Sequence, residues 1–178
     1  MALSATVFKC QLSVSDLNRH HYQDYNLTIA QHPSETEMRM MVRILAFALF
    51  AHEQLEFSRG LSNDDEPDLW QKNLTGDIEN WIELGQPEEK RIRKASALSD
   101  QVVVINYQQN ASDIWWQQNS GKLARFKNLQ VISLSENAVE RLASLCSRGM
   151  QLQVTIEDGT LWVNNGSENL EVEFSQRD

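Results

Sequence analysis

Apolar and polar positions alternate at the start of the chain. Phe8, Cys10, Leu12 and Val14 alternate with Lys9, Gln11 and Ser13, and Tyr25, Leu27 and Ile29 alternate with Asn26 and Thr28. A period of two puts every second side chain on one face, as a half-buried strand requires. These segments predict a hairpin turned at Ser15 to Arg19. The period then changes. Met38, Met41, Val42, Leu45 and Leu49 recur at helical spacing and make a broad apolar face. Ser34 with Glu37 three residues later has the form of a capping box, so a helix is expected over 34–53.

A short strand from Leu55 to Gly60, an acidic loop from Ser62 to Gly76 and a strand from Ile78 to Leu84 are expected next. Gly85 and Pro87 end that strand, and Pro87 is placed to open a helix over 87–98. Val102 to Tyr107 is a continuous apolar run, the pattern of a central strand buried on both faces. A helix is expected over Ser112 to Phe126, a strand over Leu129 to Leu134, and a helix capped by Ser135 with Val139, Leu142 and Leu145 on one face. Three strands finish the chain, Leu152 to Ile156, Thr160 to Val163 and Leu170 to Phe174, joined by turns at Asp158-Gly159 and Asn165-Gly166. The expected architecture is one mixed α/β domain over residues 1–178. It has a central mixed sheet flanked by helices, an N-terminal hairpin and a C-terminal β-meander.

Composition agrees with one core: 178 residues, 41% of them hydrophobic. The net charge of −9 repels phosphate backbones and anionic membranes, which argues against a protein that simply coats nucleic acid. The charge is uneven, however. Residues 61–90 hold nine acids and two bases, and a basic helix, Lys90-Arg91-Ile92-Arg93-Lys94, follows directly. Cys10 and Cys146 have no zinc spacing and read as reduced core residues of a cytoplasmic protein. The first residues lack the pattern of a signal peptide. The longest apolar run, Ile44 to Ala51, is too short to cross a bilayer. No Gly-rich phosphate loop or Gly-x-Ser-x-Gly elbow occurs, so no small-molecule cofactor is implied. The oligomeric state is left open, with a monomer favoured.

The candidate chemistry lies in the acidic stretch. Pro67-Asp68 followed 15 residues later by Glu83 resembles the spacing of PD-(D/E)XK nucleases. The usual lysine two positions after the glutamate is replaced by Gly85. Lys94, four residues from Lys90 and on its face, is the candidate to supply that charge. Glu83 stands out because it sits in the apolar strand Trp81-Ile82-Glu83-Leu84. A bare carboxylate there costs several kcal/mol unless it is paired or metal-bound. The plain alternative is a buried pair with Lys94 or Arg91. Asp65 to Asp68 otherwise reads as a solvated turn, Glu37 as a cap, and His20, His21, His32 and His52 as surface or capping residues. Trp115 and Trp116 point about 100° apart on a helix, so at least one faces the core.

The whole chain resembles the YaeQ family of bacterial proteins. The resemblance rests on His32-Pro33-Ser34-Glu35-Thr36 with Arg39-Met40-Met41, Arg59-Gly60-Leu61, and Asp65-Glu66-Pro67. It continues through Trp81-Ile82-Glu83-Leu84-Gly85, Arg91-Ile92 with Lys94-Ala95, Ile114-Trp115-Trp116-Gln117-Gln118-Asn119 and Leu170-Glu171-Val172. It implies a restriction-endonuclease-like core, a variant of the PD-(D/E)XK type, without a known reaction. It favours Glu35 over Glu37 as the helix carboxylate and keeps Asp65 and Asp68 as rivals for the loop acid. The expected site is therefore Mg²⁺ or Mn²⁺ held by Glu35, Asp65 or Asp68, and Glu83, with Lys94 on the phosphate of a nucleic acid. The alternative expectation is a catalytically degenerate fold that serves as a nucleic-acid or protein interaction module.

Overall fold

The structure is a computed structural model and describes residues 4–59 and 64–178. The hairpin is longer than the alternation predicts. β1 (Thr6–Asp16) and β2 (His21–Gln31) pair antiparallel over eleven residues without a break. Helix α1 (Glu37–Leu49) follows, then β3 (Leu55–Phe57), β4 (Leu69–Lys72) and β5 (Ile78–Leu84). Helix α2 (Glu89–Leu98), β6 (Ser99–Asn106), α3 (Gln109–Leu123) and β7 (Leu129–Leu134) come next. Helix α4 (Glu136–Arg141) tightens into a 3₁₀ turn (Leu142–Leu145) before the meander of β8 (Gly149–Glu157), β9 (Thr160–Asn164) and β10 (Asn169–Gln176).

All ten strands join one mixed sheet in the order β2-β1-β8-β9-β10-β7-β6-β5-β4-β3. β1 runs parallel to β8, and β5, β6 and β7 run parallel to one another. β10 is the seam. Its first part, Asn169 to Glu173, pairs with β9, and Phe174 to Gln176 pair with β7. Both halves of the sheet close on α1. Met40 to Leu49 are ten consecutive buried residues, so this helix is enclosed on every side. It touches β2, β4, β5, α4 and the 3₁₀ turn. On the other face of β5, β6 and β7, helices α2 and α3 cover Trp81, Val102, Val104 and Val131 with Ile92, Ala95, Trp115 and Leu123.

The mixed sheet with flanking helices, the hairpin and the meander agree with the sequence. Several boundaries do not. The cap of α1 is Thr36, whose hydroxyl accepts from the Arg39 N–H, while Ser34 bonds the His32 ring. The Ser34–Glu37 capping box is thus not formed, and the helix is shorter than 34–53. The acidic loop contains a strand, β4, which pairs with β5 and is followed by a turn over 73–77. Pro87 lies just outside α2, with Glu88 as its cap residue and only Glu89 in its first turn. α3 starts three residues early and contains Gly121. The predicted strand end at Gly60 and loop start at Ser62 lie outside the described residues. Among the described residues, no helix is long and apolar enough to cross a membrane. Both cysteines are free.

Candidate functional site: a carboxylate pair between arginines

The β4–β5 hairpin builds the centre. Leu69 pairs with Ile82, and the Asp68 N–H bonds the Ile82 carbonyl at 3.1 Å. One step beyond that pair, Asp68 stands opposite Glu83 where the hairpin leaves the sheet. Alternation along β5 turns Ile82 and Leu84 towards α1 and leaves Trp81 and Glu83 for the α2 side. Asp68 and Glu83 are both buried, at 8% and 6% exposure. Burial raises the Glu83 pKa above its ordinary value; Arg91 opposes this shift and the nearby Asp68 charge adds to it.

Each carboxylate meets a guanidinium. Glu83 Oε1 accepts from Arg91 Nε at 2.6 Å and from Trp81 Nε1 at 2.9 Å. Among the described residues, Glu83 Oε2 accepts no hydrogen bond. Arg91 also donates to the carbonyls of Asp64 and Glu66, at 2.7 and 2.6 Å, and so fastens the segment before Pro67-Asp68 to β5. Asp68 Oδ2 accepts from the Leu84 N–H at 2.8 Å, and Asp68 Oδ1 accepts from Arg39 at 2.7 Å.

Arg39 is shared. Its other terminal nitrogen bonds Glu35 Oε2 at 2.8 Å. Glu35 also takes two bonds from the buried Arg43, at 2.6 and 3.0 Å. Arg39 and Arg43 are one turn apart on α1 and share a face, and Glu35, just before the Thr36 cap, folds back onto both. Burial, the largest contribution, lowers the Arg39 pKa, but the neighbouring Asp68 charge and the hydrogen bonds that Arg39 donates to Asp68 and Glu35 outweigh it and leave the pKa raised. Tyr107, where β6 ends, adjoins this group, and burial raises its hydroxyl pKa.

Of the predicted site residues, Asp68 and Glu83 come together, and Glu35 reaches Asp68 through Arg39. Asp65 and Lys94 form a separate, exposed ion pair at 2.7 Å, and the hydrogen bond from Lys94 holds the Asp65 carboxyl below its ordinary value. Arg91, one turn before Lys94 on α2, is the cation that reaches Glu83. Gly85 has φ of +96°, a left-handed conformation that a lysine there would strain. Among the described residues, no three of His, Cys, Asp and Glu form a metal-binding group. Trp115 is buried and donates to the Pro87 carbonyl at 2.8 Å, so it supports the loop after β5. Sequence reasoning passed over Arg39 and Arg43 as site residues, although their spacing from Glu35 was a readable signal.

A family model described as YaeQ protein matches residues 1–174. The uncharacterized protein YaeQ of Escherichia coli (strain K12) is 45% identical over 175 residues, covering 98% of this chain and 97% of that protein. The counterpart in Salmonella typhi is also 45% identical over 175 residues. The crystal structure of the YaeQ protein from Xanthomonas axonopodis pv. citri superposes with a TM-score of 0.95 at 47% identity, covering 98% and 99% of the two chains. That of the YaeQ protein from Pseudomonas syringae superposes with a TM-score of 0.92 at 35% identity, covering 98% and 96%.

Proposed function

Starting from the YaeQ family, to which this chain belongs, we propose a divalent-cation-dependent, nuclease-like protein of the cytoplasm, built on a variant PD-(D/E)XK core and acting on the phosphodiesters of nucleic acid. The buried Asp68–Glu83 pair carries this reading. Burial raises the Glu83 pKa, and the charge of the neighbouring Asp68 carboxylate adds to that rise. Such pairs are arranged at sites where a charge must be met.

Hard oxygen donors suit Mg²⁺ or Mn²⁺. Glu83 fits such an ion because, among the described residues, its Oε2 accepts no hydrogen bond, and Asp68, opposite, accepts a single hydrogen bond on each oxygen and so keeps a lone pair on each. Glu35 does not fit, since Arg39 and Arg43 take both its oxygens. Asp65 does not fit either, being exposed and paired with Lys94. When bound, the ion would supply electrophilic polarisation of a phosphoryl oxygen. The chain's own cations do the rest. Arg39 and Arg91 flank the pair, and a guanidinium is always charged and forks onto phosphate oxygens. Lys94, at the outer rim, meets phosphates further along the strand.

Purified protein with Mn²⁺ is expected to nick members of a panel of single- and double-stranded DNA and RNA. Glu83→Gln, which keeps the side-chain shape, is expected to abolish nicking with an unchanged far-UV circular dichroism spectrum. Intact substrates throughout the panel in both Mg²⁺ and Mn²⁺ would overturn the reading.

Gly85 favours a second reading. Losing one charge-stabilising donor costs about 10²–10³ in rate. A centre without its lysine, and with arginines already on both carboxylates, suits a module that binds nucleic acid or protein without cleaving it. Binding to the same panel that persists in EDTA and in Glu83→Gln selects this second reading.

A further inference from the structure

β2 is one edge of the sheet. Its neighbours show which of its backbone groups are open. The Lys9 N–H bonds the Arg148 carbonyl beside β8, and Arg148 Nε donates to the Val7 carbonyl. The odd-numbered residues of β1 therefore face β8. The even-numbered ones, Phe8 to Asp16, face β2, where their partners are the odd-numbered His21 to Ile29. In an antiparallel ladder the remaining residues of β2 aim both N–H and C=O at the open side. Ala30 agrees, since its carbonyl accepts from Arg43 at 2.9 Å, away from β1. Tyr22, Asp24, Asn26 and Thr28 remain. Among the described residues, their backbone groups on that side have no partner.

Exposed edges are commonly short, bulged, or armed with proline or lysine against pairing. β2 has eleven residues in unbroken register, with no proline and no lysine. We propose that this edge pairs antiparallel with the same edge of a second copy of the chain. The four open residues fix the register. Tyr22 lies opposite the partner's Thr28 and Asp24 opposite the partner's Asn26, with the two-fold axis at Tyr25. A register centred on Asn26 would need Ala30, whose carbonyl Arg43 already holds.

The chosen register uses every open group and opposes no like charges. Asp24 meets an amide. Tyr22, 61% exposed, meets a threonine whose hydroxyl is held by Lys9 at 2.8 Å. The two copies of Tyr25 form the central pair without backbone bonds, with Cβ atoms about 4.5–5.5 Å apart. This isologous contact joins two ten-stranded sheets into one. It departs from the monomer favoured by the sequence and is independent of the carboxylate centre.

Sedimentation equilibrium is expected to give twice the chain mass of 20.5 kDa. Asn26→Pro removes an outward N–H that bonds nothing in β1, so it is expected to leave the fold intact and yield monomer. Asn26→Lys sets a cation opposite the partner's Asp24 on both sides of the axis. It is expected to tighten the dimer about 2- to 30-fold, the worth of two opposite-charge cross-strand pairs. A chain that stays monomeric up to about 100 μM, the weak-affinity range, overturns the proposal. A dimer indifferent to Asn26→Pro, or one loosened by Asn26→Lys, does so as well.

Discussion

Glu35 was a candidate metal ligand, and its surroundings give it a different task that can be measured. Replacing it with alanine removes three hydrogen bonds and the counter-charge of Arg43, which is 4% exposed. Arg39 keeps Asp68, but Arg43 keeps only neutral partners among the described residues, the Ala30 carbonyl and the Phe57 ring. Taking one partner from a buried ion pair leaves an uncompensated charge and costs about 3–5 kcal/mol. That is a large share of a total stability of about 5–15 kcal/mol. At about 2–4 °C per kcal/mol for a chain of this size, the melting temperature should fall by about 6–20 °C. Thermal unfolding followed by far-UV circular dichroism, with Asp65→Ala as the exposed control, tests this. The control should melt with the wild type. If Glu35→Ala melts within about 2 °C of the wild type, equivalent to less than about 1 kcal/mol, the arginine clamp holds nothing and Glu35 is free for other chemistry.

Glu83→Gln should move the other way and raise the melting temperature. The folded-state pKa of Glu83 lies above its ordinary 4.5, so its contribution is full below that value and is lost as pH rises through the folded pKa. The advantage of the glutamine variant should therefore grow from acid towards neutral pH, and melting curves with a gap that ignores pH would refute this account. Gly85→Ala should cost about 1–2 kcal/mol, read from denaturant midpoints. Among the described residues, no atom lies within 4 Å of the added Cβ, so the penalty is that of the left-handed backbone. An unchanged midpoint would mean that the backbone there relaxes freely.

Much of the fold was legible because most strands have one buried face. The alternation of Phe8, Cys10, Leu12 and Val14 and the apolar run at Val102 mark strands without help from distant residues. β4 was not legible. Leu69-Trp70-Gln71-Lys72 is short, and its acidic flank reads as a loop until β5 pairs with it. The start of α1 misled for a local reason: Ser34 and Glu37 have the capping spacing, but His32 captures the Ser34 hydroxyl and Thr36 takes over. At the candidate site, Glu83 could be singled out because an apolar strand makes a carboxylate conspicuous. Its partner could not be chosen. Arg91 and Lys94 both lie on α2, and only the path of residues 64–66 past that helix decides which one turns inward.

Sheet order also sets a timetable. β1 needs β8 beside it, and residues such as Gln11 and Gln151 that meet across this pair are 140 positions apart. During synthesis the β1–β2 hairpin therefore waits, with one side of β1 unpaired, until β8 emerges. Among the described residues, the two halves of the sheet are stitched only by β10, the last of their strands. Contacts this distant in sequence make folding slow and leave strand edges exposed meanwhile.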